Sequence, residues 1–333
     1  MPGVPFPGLV DRLANLDVGT VRRNEPLSRH CSWQIGGPAD LLVEPESADQ
    51  VANLVRFVHQ QQLPLVVIGQ GTNLLFDDAG VRGMVLKLGE KMASVRIAGN
   101  RIEAEGGTWV PQLARLAMLA GLTGLEHTIG IPGTLGGLIM MNGGSQRRGI
   151  GENVVRVRVV DRQGEIQELD REACCFSYRH SALQGTGTVV VGVELQCPYG
   201  ERAEIRRAMV CDLRERRRKF PRKLPNCGSV FLSSAEMHAS VGPPGRIIEQ
   251  AGLKGFAIGA AEVSRQHANF IVNRGGATSA DVLRIIGHIR RTIGQQLAFD
   301  LRCEVRYVSP LGEIMPADLV AVNETGDTDQ DTQ

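Results

Sequence analysis

The stretch IGIPGTLGGLIMMNGG, Ile129 to Gly144, holds six glycines, a proline, Thr134 and Asn142 within sixteen residues. A single turn does not need so many. Without side chains, main chain can come very close to another surface. Two readings follow: a close-packed crossing of backbones, or a loop pressed against a large planar or phosphorylated ligand. The number of glycines favours the ligand. Upstream, LPLVVIGQGTNLLF reads as a buried strand, a glycine turn and a second apolar run. The turn GQGTN, Gly69 to Asn73, lacks the third glycine and the following amphipathic helix of a dinucleotide fingerprint. It also lacks the Gly-Lys-Ser/Thr of a Walker A loop. Glycines on either side of Gln70 still allow successive N–H groups to line an anion. A plain tight turn is the alternative.

The elements around these loops follow from local signals. Ser47 begins a capping box with Gln50, and Val51, Leu54, Val55 and Val58 recur at helical spacing. A helix from about Trp109 places Val110, Leu113, Ala114 and Ala117 on one face, with Gly121 as its stop. VVRVRVVDRQGEIQEL alternates and reads as a hairpin turned at Arg162 to Gly164. From Glu201 a charged helix runs into RERRRKFPRKLP, where prolines break it. Ser279 is expected to cap a last helix with Val282, Ile285, Ile286, Ile289 and Ile293 on its apolar face. LRCEVRYV then closes the fold as a strand. Residues beyond Gly312 carry six acids and no Lys or Arg, the composition of a frayed tail. Strands and helices mix without regular alternation, which indicates an α+β fold.

Bulk properties exclude several classes. The 333 residues are 42% hydrophobic and 22% charged with a formal net charge of +1, so no global field attracts nucleic acid or an anionic membrane. No apolar run is long enough for a bilayer span, and the start shows no secretory pattern. The seven cysteines form no C-x-x-C pair, which argues against a zinc site or a disulfide framework. A cytoplasmic protein with reduced thiols and no metal is expected.

Three further segments carry reactive groups. PNCGSVF, Pro225 to Phe231, contains Ser229 without a nucleophile elbow or a recognisable triad. FSYRHS, Phe176 to Ser181, sets Arg179 among aromatic and hydroxyl residues, where its planar fork can hold a carboxylate or oxyanion. An exposed ion-pair arginine is the alternative. In LRCEVRYV, Glu304 shares a strand face with Arg302 and Arg306, as a surface charge ladder would. The basic run Arg214 to Lys223 suits either a solvated helix end or a pocket for a pyrophosphate-bearing ligand.

In order, SWQIGGPAD, GQGTNLLFDDAGVRG, GLEHTIGIPGTLGG with MNGG, FSYRHS, NCGSVF, AGLKG, HANFIVN and CEVR resemble the UDP-N-acetylenolpyruvoylglucosamine reductase (UDP-N-acetylmuramate dehydrogenase) family. The resemblance runs from about Pro26 to Val308. It implies a vanillyl-alcohol-oxidase-type (PCMH) FAD-binding domain of two α+β subdomains, residues 26–90 and 91–200, after an N-terminal extension, 1–25. A C-terminal α+β UDP-sugar domain, 201–312, and an acidic disordered tail, 313–333, would follow. FAD would be held non-covalently by Gly69, Gln70, Gly71, Thr72, Asn73, Ile129, Gly130, Pro132, Gly133, Thr134, Gly136, Gly137 and Asn142. The short link from Glu194 to Ile205 and the NCGSVF form resemble the branch without an extra tyrosine-bearing loop. One departure is Leu232 and Ser233, where the family usually has lysine and a polar residue or proline; an insert-like SSAEMHASVGPP follows.

The implied activity is NADPH-dependent reduction of UDP-N-acetylglucosamine enolpyruvate to UDP-N-acetylmuramate, for peptidoglycan precursor synthesis, by a cytoplasmic monomer with small-molecule partners only. The implied catalytic residues are Arg179, Ser229 and Glu304. Hydride arrival at the vinyl carbon leaves an enolate for Arg179 to stabilise. A carboxylate at Glu304 beside that anion needs a proton or an arginine partner. Ser229 acts as proton donor, because an enolate carbon is basic enough to take a proton from a neutral hydroxyl. No histidine is required to activate a serine in that role.

Overall fold

The structure is a computed structural model and describes residues 9–321. In chain order its main elements are α1 (Leu9–Ala14), β1 (Thr20–Pro26), β2 (Pro38–Glu44), α2 (Ala48–Gln61), β3 (Leu65–Ile68), β4 (Leu74–Phe76) and β5 (Val81–Lys87). Next come β6 (Val95–Ala98), β7 (Arg101–Glu105), α3 (Val110–Leu119), α4 (Leu135–Met140), β8 (Val154–Val160), β9 (Ile166–Asp170), β10 (Val189–Gln196) and α5 (Arg202–Lys219). The chain continues through α6 (Ala235–Ser240), α7 (Pro244–Gln250), β11 (Ala257–Ile258), β12 (Ala261–Val263), β13 (Ile271–Asn273), α8 (Ser279–Leu297), β14 (Arg306–Val308) and β15 (Ile314–Pro316). Contacts group it into two units. The first comprises residues 9–23, Leu41–Gln70 and Gly83–Arg216; the second comprises Asn24–Asp40, Gly71–Arg82 and residues 217–321. The segments of the two units interleave along the chain.

In the first unit, a four-stranded sheet runs β1-β2-β5-β3 and a five-stranded antiparallel sheet runs β6-β7-β10-β8-β9. The parallel β3–β5 pair aligns Leu65 with Met84 and Ile68 with Lys87. Ser47 caps α2 by accepting from the Gln50 N–H at 3.2 Å. The expected face of α2 (Val51, Leu54, Val55, Val58) is buried against Leu41, Val43, Met84 and Leu86. Burial of each side chain contributes about 1.5–3 kcal/mol. The β8–β9 hairpin turns where expected, with Gly164 at φ +86°. A second core lies between α3, α4 and the five-stranded sheet and includes Leu113, Leu135, Ile139, Val157 and Leu195.

In the second unit, β11-β12-β13 form one small sheet and β15-β14-β4 another, with β14 parallel to β4 and antiparallel to β15. The SWQIGG segment is a structural clasp. Trp33 is fully buried, its indole N–H donates to the Ile271 carbonyl at 2.7 Å, and Asn273 Nδ2 donates to the Trp33 carbonyl at 2.9 Å. The N-cap of α8 is Thr278, one residue before the expected Ser279. Thr278 forms a reciprocal capping box with Asp281, while the Ser279 hydroxyl donates to Asp78 at 2.8 Å. The expected apolar face of α8 is buried.

Residues 313–321, which composition places in a frayed tail, are part of the fold. Ile314–Pro316 pairs with β14, and the buried Asp318 carboxylate accepts from the Cys303 N–H at 2.8 Å and pairs with Arg302 at 3.4 Å. An acid with such partners is an anchor rather than a solubilising charge. Residues 322–333, like residues 1–8 of the expected N-terminal extension, lie outside the described residues. Among the described residues no helix is long and apolar enough to cross a membrane, and all seven cysteines are free.

Candidate active site

The glycine loops of the first unit combine close backbone crossings with open main chain, at different residues. Gly136 marks a backbone crossing: its N–H donates to the Gly106 carbonyl at 2.8 Å, and an added Cβ would stand 3.1 Å from that oxygen. Gly69 faces the Thr134 side chain, whose Oγ1 would lie 2.2 Å from a Cβ there. Gly133 adopts φ +140° and directs its carbonyl to the Val110 N–H. Gly137 differs from these. It is exposed, and a Cβ on it would meet only Thr134 Oγ1, at 3.6 Å. Bare main chain at Gly137 and Gly133, beside exposed Pro132 and Gln70, is a cradle that fits the pyrophosphate of a dinucleotide such as FAD.

At the other end of the same loop, the stem of Arg216 lies on Gly130, whose Cβ would be 2.2 Å from Arg216 Cδ. The basic run Arg214 to Lys223 is therefore not uniformly solvated, because one of its arginines turns inward. Burial lowers the Arg216 pKa; the Asp212 carboxylate raises it, and the Arg179 charge lowers it. Two guanidinium groups thus share one neighbourhood in this unit. The sequence singled out the basic run but not the residue within it that faces the loop.

Arg179 sits at the tip of FSYRHS with φ +55°, in the left-handed region where non-glycine residues are strained. Ser177 and His180 close the turn by exchanging main-chain hydrogen bonds of 3.0 and 3.1 Å. The turn is tied to the end of α4. Ser181 Oγ donates to the Met140 carbonyl at 2.7 Å, and Asn142 Nδ2 donates to the Ser177 carbonyl at 2.8 Å. Asn142 also accepts from the Gly151 N–H at 2.9 Å. The MNGG asparagine, expected to touch the cofactor, links the glycine loop to the arginine turn. The Arg179 guanidinium carbon lies 5.5 Å from the Tyr178 ring centroid.

In the second unit, Ser229 and Glu304 lie on adjacent segments, each at a bend beside a single bridged pair. The Glu304 N–H donates to the Val230 carbonyl at 2.8 Å, and Phe231 bridges to Cys303. Gly228, at φ +79°, makes the bend before Ser229, and its N–H donates to Asn226 Oδ1 at 3.0 Å. Buried Asn269, from HANFIVN, clamps the segment. It accepts from the Val230 N–H on its carbonyl and from the Phe231 N–H on Oδ1, each at 2.9 Å, and donates Nδ2 to the Phe231 carbonyl at 3.0 Å. Nothing in the local sequence signals that role. Asn73 of GQGTN holds Glu304 in place: its Nδ2 donates to the Glu304 carbonyl at 3.0 Å, and its own carbonyl accepts from the Arg306 N–H. Gly71 marks a crossing, since a Cβ there would be 2.2 Å from the His30 carbonyl. The strand expected across LRCEVRYV begins only at Arg306, so Arg302 and Glu304 precede it and share no strand face with Arg306; Arg302 pairs instead with Asp300 and Asp318.

His127, just before the glycine loop, is 2% exposed, and neither ring nitrogen makes a well-formed hydrogen bond among the described residues, the Gly124 backbone giving only a weak one that opposes the effect of burial. Burial lowers its pKa from 6.5 to about 4, with the Arg148 charge adding and Glu152 and Glu126 opposing. The unfolded chain therefore binds the proton more readily than the folded one. Stability is retained above about pH 6.5 and falls as the pH drops toward 4, by about 2 kcal/mol between pH 7 and pH 5 from this group alone. His127→Leu is expected to remove that part of the acid loss, measured as a smaller shift in the urea midpoint over this range. An unchanged shift would assign the acid sensitivity to other groups.

Comparison with known proteins adds identity to this geometry. An FAD binding domain matches residues 39–170, and the C-terminal domain of UDP-N-acetylenolpyruvoylglucosamine reductase matches residues 220–308. The chain is an FAD-dependent oxidoreductase. It is 46% identical over 297 residues to UDP-N-acetylenolpyruvoylglucosamine reductase 1 of Corynebacterium glutamicum, which covers 89% of each chain. It is 44% identical over 295 residues to the UDP-N-acetylenolpyruvoylglucosamine reductase of Heliobacterium modesticaldum, covering 88% of this chain and 92% of that one. A crystal structure of the reductase from Thermus caldophilus superposes with a TM-score of 0.74 at 30% identity, over 86% of this chain and 99% of that one. The chain belongs to the UDP-N-acetylenolpyruvoylglucosamine reductase family.

Proposed function

We propose that the chain reduces UDP-N-acetylglucosamine enolpyruvate to UDP-N-acetylmuramate at the expense of NADPH, with Arg179, Ser229 and Glu304 as its catalytic residues. Bound FAD supplies the hydride relay between the nicotinamide and the enolpyruvyl group. The observation that carries the residue assignment is the clamped pairing of the Ser229 and Glu304 segments through Val230 and Asn269. A half-buried hydroxyl and a half-buried carboxyl are thereby presented on one framework. Ser229 gives its proton to the enolate carbon. Glu304 orients the reacting groups, and Arg179 holds the negative charge that develops next to the substrate carboxylate. Arg216, beside Arg179, raises the local positive potential and so favours an anionic substrate.

Gly69 to Asn73, Ile129 to Gly137 and Asn142 would hold FAD largely through main chain. No histidine in these loops is an evident covalent tether, so FAD is expected to be held non-covalently. The purified protein should be yellow, and acid denaturation should release FAD into the supernatant. NADPH oxidation should depend on the enolpyruvyl substrate. Flavin that stays with the precipitated chain would overturn the non-covalent reading. A yellow protein that ignores UDP-N-acetylglucosamine enolpyruvate but oxidises an alcohol would overturn the substrate.

A further inference from the structure

We propose that the indole of Trp109 is the stacking platform for the adenine of FAD. The chain has two tryptophans. Trp33 is fully buried, but Trp109 is 43% exposed although it stands at the N-cap of α3 in the middle of the glycine loops. Its backbone forms an isolated antiparallel bridge with Thr134. The flanking bonds are Leu135 N–H to the Thr108 carbonyl, 2.8 Å, and Val110 N–H to the Gly133 carbonyl, 3.0 Å. That pattern makes Trp109 and Thr134 a non-hydrogen-bonded pair, the arrangement in which facing side chains leave the ladder on the same side and lie closest. The Thr134 side chain lies against Gly69, next to exposed Gln70. The indole therefore stands on the Thr134 side of the cradle, where it leaves a large apolar face for a ligand.

The polarity of the loop selects the adenine over the isoalloxazine. Arg216 lies on Gly130 and shares its surroundings with Arg179, the residue assigned to the developing enolate. The redox ring belongs at that end. Trp109 faces the opposite end, Gly133 and Thr134, so the part of the dinucleotide beyond the pyrophosphate is the part within its reach. A flat purine without formal charge suits an indole face, and stacking of this kind is tolerant of edge chemistry.

This inference rests on the FAD reading, and the test separates the two. The full-length chain, freed of flavin, is dialysed at equilibrium against FAD or FMN, which share the isoalloxazine and differ in the adenylyl group. Trp109→Ala is expected to weaken FAD binding about tenfold and to leave FMN binding within about twofold, the change expected where no stacked base is lost. Trp109→Phe, which retains an aromatic face, should lose about threefold or less. ADP alone should quench the tryptophan emission of the parent but not that of Trp109→Phe, in which only Trp33 remains. Equal weakening of FAD and FMN would mean that Trp109 merely shapes the loop, and unchanged FAD binding in Trp109→Ala would remove it from the site. Either result overturns the proposal while the flavoprotein reading stands. A parent chain that binds no FAD would overturn both.

Discussion

Ser229→Ala is expected to slow reoxidation of the enzyme by the enolpyruvyl substrate by at least about a hundredfold, the lower range for loss of a positioned acid. Reduction by NADPH should stay near the parent rate, because no proton from Ser229 is needed until the enolate exists. Such a split isolates chemistry from folding, and the structure indicates why the variant will fold. Everything that fixes the segment is main chain or belongs to neighbours: Val230 and Phe231 bond to Asn269, Leu232 bonds to Arg302, and Gly228 supplies the bend. Alanine retains all of these and deletes only the hydroxyl. Rapid mixing at the flavin absorbance band measures each half-reaction separately. Equal losses in both halves would make Ser229 a structural turn residue and leave the proton donor to be found elsewhere.

Legibility in the sequence followed the range of the interactions. α2, α3, the β8–β9 hairpin and the proline stop of α5 were readable because their signals lie within one element: a cap, a periodicity, a glycine at positive φ. The cap of α8 was misplaced by one residue because Thr278 and Ser279 are chemically alike. Only the tertiary partner Asp78 separates their roles. Interleaving of the two units was hidden for a related reason: nothing local to Trp33 announces its bond to Ile271. In the site, reactive residue types stood out, but their supports did not. Asn269 and Arg216 look like an ordinary polar residue and one arginine among many until the chain is folded. The roles proposed for Arg179, Ser229 and Glu304 therefore come from the family resemblance, and the structure contributes what holds each of them.

Glu304 is where a surface reading and a catalytic reading diverge most. A solvated strand-face carboxylate could be removed at a cost within about half a kcal/mol. The structure instead immobilises its backbone on both sides, with the N–H on the Val230 carbonyl and the carbonyl on Asn73 Nδ2. Its side chain is half-buried, while Arg302 is exposed and turns to Asp300 and Asp318. A rigid mount with a diverted arginine neighbour suits a group whose position matters. Glu304→Ala removes both the polar atoms and the volume, and is expected to slow substrate-dependent reoxidation about a hundredfold or more. Glu304→Gln keeps the shape and offers a hydrogen-bond donor, so its loss should be about tenfold smaller. Both variants should purify folded and yellow, because neither alters the main-chain bonds to Val230 and Asn73. Single-turnover reoxidation at saturating substrate gives the comparison directly. If alanine and glutamine variants both turn over like the parent, Glu304 is a surface charge. If glutamine is as slow as alanine, the reaction requires the carboxyl's own proton rather than its position.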